Sequence, residues 1–250
     1  MALFEVRGVC KAFGRHVVLD GVDIDVYQGE VVTIVGESGS GKSVLLKAMV
    51  GLLDVDEGTI RFNDEQISGG TEREWTAVRR QVGMLFQESA LFDSLNVYEN
   101  VAYALREQTS MSETAIAERV AETLTLVALP GIEPMWPADL SGGMRKRVAL
   151  ARAVAVRPET VFYDEPAEGL DPINVTRVNR LILGLQKSLN VTSVVVTHNL
   201  RAAFAISDRL ILIHDGKAVA TGTPQSFLDS QDPRVREFIG DRMRQVLRAS

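Results

Sequence analysis

A glycine-rich segment near the N-terminus constrains this chain more than any other feature. Residues 36–43 read GESGSGKS and match the pattern G-x-x-x-x-G-K-[ST]. The apolar run at 31–35 predicts a buried strand before the segment, and residues 42–50 predict a helix behind it. Glycines allow backbone N–H groups to turn toward a phosphate, which the helix N-terminus also attracts. Strand, loop and helix in this order predict a phosphate-binding loop and disfavour a glycine-rich turn that fits the pattern by chance.

Individual residues of this loop have predictable roles. Lys42 is expected to reach the β- and γ-phosphates of a nucleotide, and the hydroxyl of Ser43 to ligate Mg²⁺. ATP and Mg²⁺ are therefore the expected ligands. The other predicted nucleotide-binding residues of the loop are Gly36, Glu37, Ser38, Gly39, Ser40, Gly41 and Val44.

A short apolar strand, predicted at 161–163, ends in the two carboxylates Asp164 and Glu165. Neighbouring side chains of a strand point to opposite faces, so the two carboxylates can do different chemistry. We expect Asp164 to hold Mg²⁺ and Glu165 to act as the general base that polarises an attacking water. Alone, the Asp-Glu-Pro at 164–166 would indicate an ordinary strand exit. Downstream of a phosphate-binding loop it indicates an active site.

Composition narrows the class of protein further. A chain of 250 residues with 46% apolar content can bury one substantial core. The net charge of −6 argues against a nucleic-acid partner, for which a clustered basic face is expected. Cys10 is the single cysteine, which excludes an internal disulfide and favours a reducing cytosol. The N-terminus lacks a signal-peptide pattern, and no apolar run approaches the ~20 residues that span a bilayer, so we expect a soluble protein.

The hydrophobic pattern along the chain predicts an α/β fold. Residues 1–30 alternate apolar and polar positions, which predicts short antiparallel strands separated by Gly8, Gly14, Gly21 and Gly29. Later strands alternate with helices, which predicts a parallel α/β core. The predicted helices lie at 97–107 with Asn96 as its cap, at 113–127 with Ser112 as its cap, and at 144–156, 172–189 and 200–206.

Further motifs then appear in a fixed order. Gln87 follows a predicted strand at 82–86, LSGGM stands at 140–144, Gly-Leu-Asp at 169–171 and Thr-His at 197–198. With the loop and the acidic strand end, these motifs resemble the ATP-binding-cassette (ABC) ATPases over essentially the whole chain. The resemblance implies a P-loop NTPase with a RecA-like core, an antiparallel β subdomain and a helical subdomain at about 88–157. It also implies one domain at 1–240, followed by a C-terminal tail at 241–250 that is either a weak helix touching a partner or a frayed end.

The resemblance also implies roles for single residues. Phe13 corresponds to the aromatic residue that stacks on adenine, with a buried strand-end Phe as the alternative. Gln87 would contact Mg²⁺ or the attacking water, and His198 would contact the γ-phosphate. The implied metal ligands are Ser43, Gln87 and Asp164, and the implied catalytic residues are Glu165, His198 and Lys42.

In the same family, the motif at 140–144 binds the γ-phosphate held by the opposite copy of a homodimer. Ser141, Gly142 and Gly143 are expected to present a hydroxyl and backbone N–H groups in front of a helix. Asp171 corresponds to a loop that crosses the dimer interface. The basic residues 145–147 are expected to form a solvated helix face or ion pairs. Two departures from the common family pattern are Met144 and the Ala-Glu pair at 167–168.

A closer resemblance concerns the membrane partner. Residues 85–103, Met144 and residues 232–238 are similar to the Mla-type ATPases, which drive phospholipid trafficking between the membranes of Gram-negative bacteria. This implies peripheral attachment to the cytoplasmic face of the inner membrane, permease subunits, a periplasmic lipid-binding (MCE-type) subunit and a small cytoplasmic accessory subunit. The apolar segment 90–92 is a candidate docking surface or, alternatively, a packed loop. An ATPase of a small-solute importer remains the alternative function.

Overall fold

The computed structural model describes residues 2–248, which fold into two compact units. Of these residues, unit 1 combines 2–79 with 192–248, and unit 2 comprises 80–191. The second unit is larger than the predicted helical subdomain at 88–157, because it also contains the acidic strand and the helix that follows it. No helix among residues 2–248 is both long and apolar enough to cross a bilayer.

The regular elements follow one another in the order that the motifs require. The ten strands found among residues 2–248 are β1 (Ala2–Phe13), β2 (His16–Tyr27), β3 (Val31–Val35), β4 (Glu57–Phe62), β5 (Glu65–Gln66), β6 (Val82–Leu85), β7 (Thr160–Asp164), β8 (Thr192–Val196), β9 (Arg209–His214) and β10 (Lys217–Gly222). The ten α-helices of the described residues are α1 (Lys42–Met49), α2 (Glu72–Arg79), α3 (Val97–Gln108), α4 (Glu113–Leu126), α5 (Gly142–Val154), α6 (Pro172–Leu189), α7 (Leu200–Ile206), α8 (Pro224–Asp229), α9 (Pro233–Ile239) and α10 (Asp241–Arg248).

Unit 1 contains an antiparallel sheet in the order β2-β1-β4-β5. The prediction of several short strands within residues 1–30 is wrong, because β1 and β2 each run for 12 residues. Gly8 and Gly21 lie inside these strands with positive φ values of 59° and 72°. The pairing register shifts on both sides of Val9, so these glycines mark bulges and not strand ends.

Unit 1 also contains strands β10, β9, β3 and β8, side by side in that order. β3 pairs in parallel with β8 on one side and with β9 on the other. All five residues of β3 and of β8 are buried, which explains why both strands read as nearly continuous apolar runs. The carboxyl ends of these parallel strands therefore carry the loops that follow residues 35 and 196.

The C-terminal helices pack on this same sheet. Leu210 and Leu212 of β9 belong to a buried cluster with Phe227 of α8, and Met243 and Leu247 of α10 pack against that cluster. Residues 241–248 are thus helical, so the alternative of a frayed end is wrong for them. The last two residues of the predicted tail, 249 and 250, lie outside the described residues.

Unit 2 consists of α3 to α6 with the parallel pair β6 and β7. The predicted caps are confirmed: the side chain of Asn96 accepts the N–H of Glu99 at 2.8 Å, and Ser112 accepts the N–H of Ala115 at 3.3 Å. Helix α6 has the predicted bounds, with Pro172 in its first turn. Helix α5 begins at Gly142, two residues before the predicted Met144.

Candidate nucleotide-binding and catalytic site

The glycine-rich loop joins β3 to α1, as predicted. The side chain of Lys42 is 6% exposed, and its Nζ donates hydrogen bonds to the carbonyl oxygens of Gly36 at 3.0 Å and Glu37 at 2.7 Å. Gly41 caps α1 at a φ of 98°, and a Cβ at this position would lie 2.8 Å from the carbonyl oxygen of Val18. Only glycine fits there without strain. The loop is therefore held in a fixed shape by its backbone and by the neighbouring strand.

The shape and donors of this loop fit a phosphate group. Ser40 Oγ is buried and has no hydrogen-bond partner among the described residues. Helix α1 directs its first N–H groups toward the loop, and such groups are unsatisfied within any helix. An anion at the loop would accept hydrogen bonds from both sources.

His198 lies at the same edge of the sheet as the loop. Because β3 and β8 are parallel neighbours, the residues after Val35 and after Val196 both follow carboxyl ends of adjacent strands. The N–H of Thr197 donates to the carbonyl oxygen of Ile34 at 3.2 Å, which fixes the start of the turn that carries His198. The His198 side chain is exposed, as a ligand contact requires.

Phe13 ends β1 at the tip of the first hairpin. Its side chain is 50% exposed, so the alternative of a buried strand-end Phe is wrong. Lys11 Nζ lies 5.8 Å from the ring centroid. An exposed aromatic face is what stacking on a base requires.

In unit 2, the acidic strand β7 is buried along its whole length and ends in the two predicted carboxylates. Asp164 is 4% exposed and Glu165 is 8% exposed. Glu165 has a φ of 46°, in the left-handed region, and the backbone bends at this residue. β6 pairs in parallel with β7, with Leu85 opposite Tyr163, so Gln87 follows the same sheet edge as the carboxylates. The structure thus brings Gln87, Asp164 and Glu165 to one edge of unit 2.

Of the basic residues at the start of α5, Lys146 is buried, so the prediction of a solvated face or ion pairs is wrong for it, whereas Arg145 is exposed, as predicted. Lys146 is 7% exposed, and its Nζ donates to the carbonyl oxygens of Gln87 and, at 3.4 Å, of Glu165. Arg145 and Arg147 also donate to carbonyl oxygens, those of residue 140 at 2.6 Å and residue 128 at 3.0 Å. Burial lowers the pKa of Lys146, and attraction to nearby carboxylates, above all Glu168, opposes the shift. All three basic side chains bind backbone carbonyls.

The predicted anion-binding motif forms the first turn of α5. The Ser141 side chain accepts the N–H of Met144 at 3.3 Å and caps the helix, which therefore starts at Gly142. A Cβ at Gly143 would lie 3.3 Å from the side chain of Asn174, so Gly143 packs closely against α6. Ser141 and Gly142 are exposed, and they present the helix N-terminus to solvent.

Asp171 caps α6, a role that the sequence analysis did not assign to it. Its carboxylate accepts the backbone N–H groups of Ile173 at 3.0 Å and Asn174 at 3.1 Å, and also the side-chain amide of Asn174. The hydrogen bonds from Asn174 lower the pKa of Asp171. The predicted role of Asp171 at a dimer interface stays a prediction.

The segment at 90–92 combines a rigid backbone with an exposed aromatic side chain. The buried side chain of Asn100 accepts the N–H of Phe92 at 2.9 Å and donates to its carbonyl oxygen at 3.1 Å. Arg152 donates to the carbonyl oxygen of Ala90 at 2.7 Å. Phe92 is 43% exposed, and its ring lies 5.1 Å from the 47% exposed ring of Tyr103. The loop is fixed, yet it offers two aromatic rings to solvent.

The side chains predicted to ligate Mg²⁺ have suitable chemistry. Ser43, Gln87 and Asp164 offer a hydroxyl, an amide oxygen and a carboxylate, all of them the hard oxygen donors that Mg²⁺ prefers. Asp164 and Gln87 share a sheet edge in unit 2, while Ser43 lies in the first turn of α1 in unit 1.

Comparison with known proteins agrees with this set of motifs. The sequence profile of the family described as "ABC transporter" matches residues 19–168, more than half of the chain. The chain is 40% identical over 237 residues to the intermembrane phospholipid transport system ATP-binding protein MlaF of Haemophilus influenzae, covering 95% of this chain and 90% of that protein. It is 39% identical over 238 residues to the probable ribonucleotide transport ATP-binding protein mkl of Mycobacterium leprae, covering 95% of this chain and 69% of that protein.

A solved structure confirms the fold. The dimeric ATP-binding cassette MJ0796, in a post-hydrolysis state bound to ADP and Pi, superposes with a TM-score of 0.81 at 30% identity. The superposition covers 88% of this chain and 98% of that one. The α/β fold of a P-loop ABC ATPase, predicted from the motifs, is therefore confirmed. This chain belongs to the ABC transporter family, as an ATP-binding and ATP-hydrolysing subunit.

Proposed function

We propose that this chain powers phospholipid trafficking between the inner and outer membranes of a Gram-negative bacterium and so maintains lipid asymmetry. The observation that carries the proposal is the 40% identity to the phospholipid transport protein of Haemophilus influenzae, because it extends over 90% of that protein. The mycobacterial relative is named for ribonucleotide transport, and the match covers only 69% of it. An ATPase for a small solute therefore remains the second candidate function. The match covers 90% of the phospholipid transport protein against 69% of the mycobacterial one, which favours phospholipid transport.

The catalytic proposal follows from the residues of the two units. Lys42 and the loop N–H groups bind the β- and γ-phosphates of ATP, and the exposed ring of Phe13 stacks on adenine. Glu165 accepts a proton from the water that attacks the γ-phosphate, and His198 binds that phosphate. Ser43, Gln87 and Asp164 would hold Mg²⁺, which supplies positive charge to the phosphate oxygens when bound. The products are ADP and phosphate.

A homodimer is part of the proposal. Ser141, Gly142 and Gly143 cap a helix whose N-terminus is exposed, and this end of α5 would bind the γ-phosphate held by a second copy. The dimeric state of the superposed cassette supports this arrangement. ATP then contributes binding energy to the closed dimer that ADP and phosphate do not, and only such a difference can drive a cycle of opening and closing.

The membrane partners complete the proposal. Phe92 and Tyr103 form an exposed aromatic pair on a backbone that Asn100 holds rigid, and such pairs suit a docking site for a permease subunit. Attachment would be peripheral, at the cytoplasmic face of the inner membrane. A periplasmic lipid-binding (MCE-type) subunit and a small cytoplasmic accessory subunit are the further proposed partners. No nucleic-acid partner is proposed.

Purification of the tagged chain from gently solubilised membranes tests the transport proposal. We expect mass spectrometry to identify a permease, a periplasmic lipid-binding subunit and bound phospholipid. Recovery of a small-solute permease with a soluble binding protein, and no phospholipid, would instead support the second candidate function, the ATPase of a small-solute importer.

A pair of variants tests the docking site in the same experiment. Phe92→Asp should reduce permease recovery at least several-fold while leaving the purified chain folded. Val17→Asp is the matched control, because Val17 is 58% exposed on β2 of unit 1. Equal permease recovery with both variants would exclude the aromatic pair as the docking site.

A further inference from the structure

Lys146 of α5 is a lysine of unit 2 that lies almost fully buried. Burying an ammonium group is costly unless its hydrogen bonds are satisfied. Its Nζ donates to two carbonyl oxygens, one from Gln87 and one from Glu165. One side chain thus connects the backbone of the proposed metal ligand to the backbone of the proposed general base.

Glu168 makes a second connection between the same two segments. Its carboxylate accepts a hydrogen bond from Nε2 of Gln87, and its N–H donates to the carbonyl oxygen of Glu165 at 3.2 Å. That carbonyl is the one that Lys146 also contacts. Gln87, Lys146, Glu165 and Glu168 therefore form a closed ring of hydrogen bonds within unit 2.

The ring determines which end of the Gln87 amide is available. An ionised carboxylate only accepts hydrogen bonds, so the NH₂ group of Gln87 must face Glu168. The amide oxygen Oε1 consequently points to the opposite side of the amide, and an oxygen is the end that can ligate Mg²⁺. Lys146 keeps the Gln87 backbone in place while Glu168 sets the side-chain orientation.

We infer that Lys146 and Glu168 are positioning residues that present Oε1 of Gln87 to Mg²⁺ and hold it in register with Glu165. The inference rests on the proposed roles of Gln87 and Glu165. Neither positioning residue contacts the substrate. Their effect on the reaction passes through Gln87 and through the backbone turn of Glu165.

The test measures equilibrium binding of a non-hydrolysable ATP analogue to the full chain at increasing Mg²⁺ concentrations. Removing an outer hydrogen-bond partner of a metal ligand typically costs 10–100-fold in metal affinity or activity, so Glu168→Ala should raise the Mg²⁺ concentration for half-maximal binding about tenfold. Binding of the analogue without Mg²⁺ and the thermal midpoint should be unchanged. Glu168→Gln, which keeps an acceptor, should recover most of the loss.

Two further variants serve as controls for the Glu168→Ala measurement. Glu118→Ala removes an exposed glutamate from α4 and should leave the Mg²⁺ dependence unchanged. In a Gln87→Ala background, adding Glu168→Ala should cause no further change, because the two residues act as one unit. An unchanged Mg²⁺ midpoint in Glu168→Ala, or a full tenfold shift in the Gln87→Ala background, would overturn the inference for Glu168.

Lys146→Met tests the other half of the ring, with Lys187→Met on α6 as its control. We expect Lys146→Met to raise the Mg²⁺ midpoint and to lower kcat for ATP while KM changes little. A folded Lys146→Met with wild-type values of both would overturn the role of Lys146. Failure of the proposed catalytic mechanism is recognised separately, as full hydrolysis by Glu165→Gln, since analogue binding requires no hydrolysis.

Discussion

The two units hold their functional residues by different means. In unit 1, the loop at 36–43 is shaped by its backbone conformation, by close approach of the neighbouring strand at Gly41, and by hydrogen bonds from Lys42 to two carbonyl oxygens of the loop itself. In unit 2, Gln87 and Glu165 are held by hydrogen bonds from the charged side chains of Lys146 and Glu168. Phosphate binding thus depends on a backbone shape, and the proposed catalytic step depends on a side-chain network.

The largest expected effect separates binding from hydrolysis. Glu165→Gln in unit 2 should reduce kcat for ATP hydrolysis by about 10²–10⁴-fold, because a general base contributes about that much, and should leave ATP binding intact. Lys42→Ala in unit 1 should instead weaken ATP binding about 10–100-fold, because it loses charge-assisted hydrogen bonds worth about 1.5–3 kcal/mol.

Steady-state hydrolysis and equilibrium nucleotide binding measure the two quantities. Glu107→Gln, at an exposed position of α3, is the control. If Glu165→Gln hydrolysed ATP at the wild-type rate, the assignment of the general base would be wrong. Equal effects of Glu165→Gln and Lys42→Ala on ATP binding would show that the two units do not divide binding and hydrolysis between them.

The next largest expected effect concerns a second hydrogen-bonded region of unit 2, the loop that Asn100 holds. Asn100 is fully buried and bonds to both backbone groups of Phe92 and to two further carbonyl oxygens. Asn100→Ala leaves these four part-buried backbone groups without the Asn100 partner and should lower the free energy of unfolding by about 3 kcal/mol. Gln108→Ala, at the exposed end of the same helix, should change it by less than about 0.5 kcal/mol. Urea denaturation measures both, and equal values would show that Asn100 does not hold the loop.

Unit 1 should respond to glycine substitutions instead. Gly41→Ala places a Cβ 2.8 Å from the carbonyl oxygen of Val18 at a φ of 98°, so we expect a loss of about 2 kcal/mol in the free energy of unfolding. Gly184→Ala is the matched control, because a Cβ in the middle of α6 meets nothing within 4 Å. It should stabilise the protein by about 0.5–1 kcal/mol. The same sign for both variants would contradict a sterically fixed loop.

Lowering the pH should reduce the stability of both units alike, and this is the smallest of the expected effects. Asp232 caps α9 in unit 1, and hydrogen bonds from Arg234 lower its pKa to about 2. Asp171 caps α6 in unit 2, and Asn174 lowers its pKa. A carboxyl whose folded pKa lies below its unfolded value of ~3.9 stabilises the protein above that value, and the contribution is lost as the pH falls toward the folded pKa.

Asp171→Asn and Asp232→Asn should therefore each destabilise the protein at pH 6, and each difference from wild type should shrink at pH 3. Chemical denaturation at the two pH values measures the differences. A difference that stays constant with pH would show that the carboxylate charge does not matter.

The structural features that were predicted correctly from the sequence are those that depend on residues close together in the chain. The glycine-rich loop, the caps at Asn96 and Ser112 and the bounds of α6 each depend on residues within a few positions of one another. The same is true of the apolar runs that became buried parallel strands. Such local patterns fix the type of element and the motif it carries.

The errors have a common physical cause. Lys146 was expected on a solvated face, since three consecutive basic residues normally face water. Its actual partner, the carbonyl oxygen of Gln87, lies 59 positions away in the sequence. The two long strands of residues 2–27 were missed because a glycine with positive φ is read as a turn, although within a paired sheet it makes a bulge. The charge and the turn preference of a residue are properties of the residue and its sequence neighbours. Its hydrogen-bond partner in the folded protein can lie far away in the chain and is not read from those neighbours.

The left-handed backbone of Glu165 has a consequence for evolution under selection for stability. A glutamate at a φ of 46° adopts a conformation that glycine reaches without steric cost. Backbone energy alone would therefore favour glycine at this position, and the proposed role as general base is a reason to keep the carboxylate. The proposed general base is thus also a residue whose backbone conformation lowers stability, so we expect screens for thermostable variants of this chain to select inactive ones at this position.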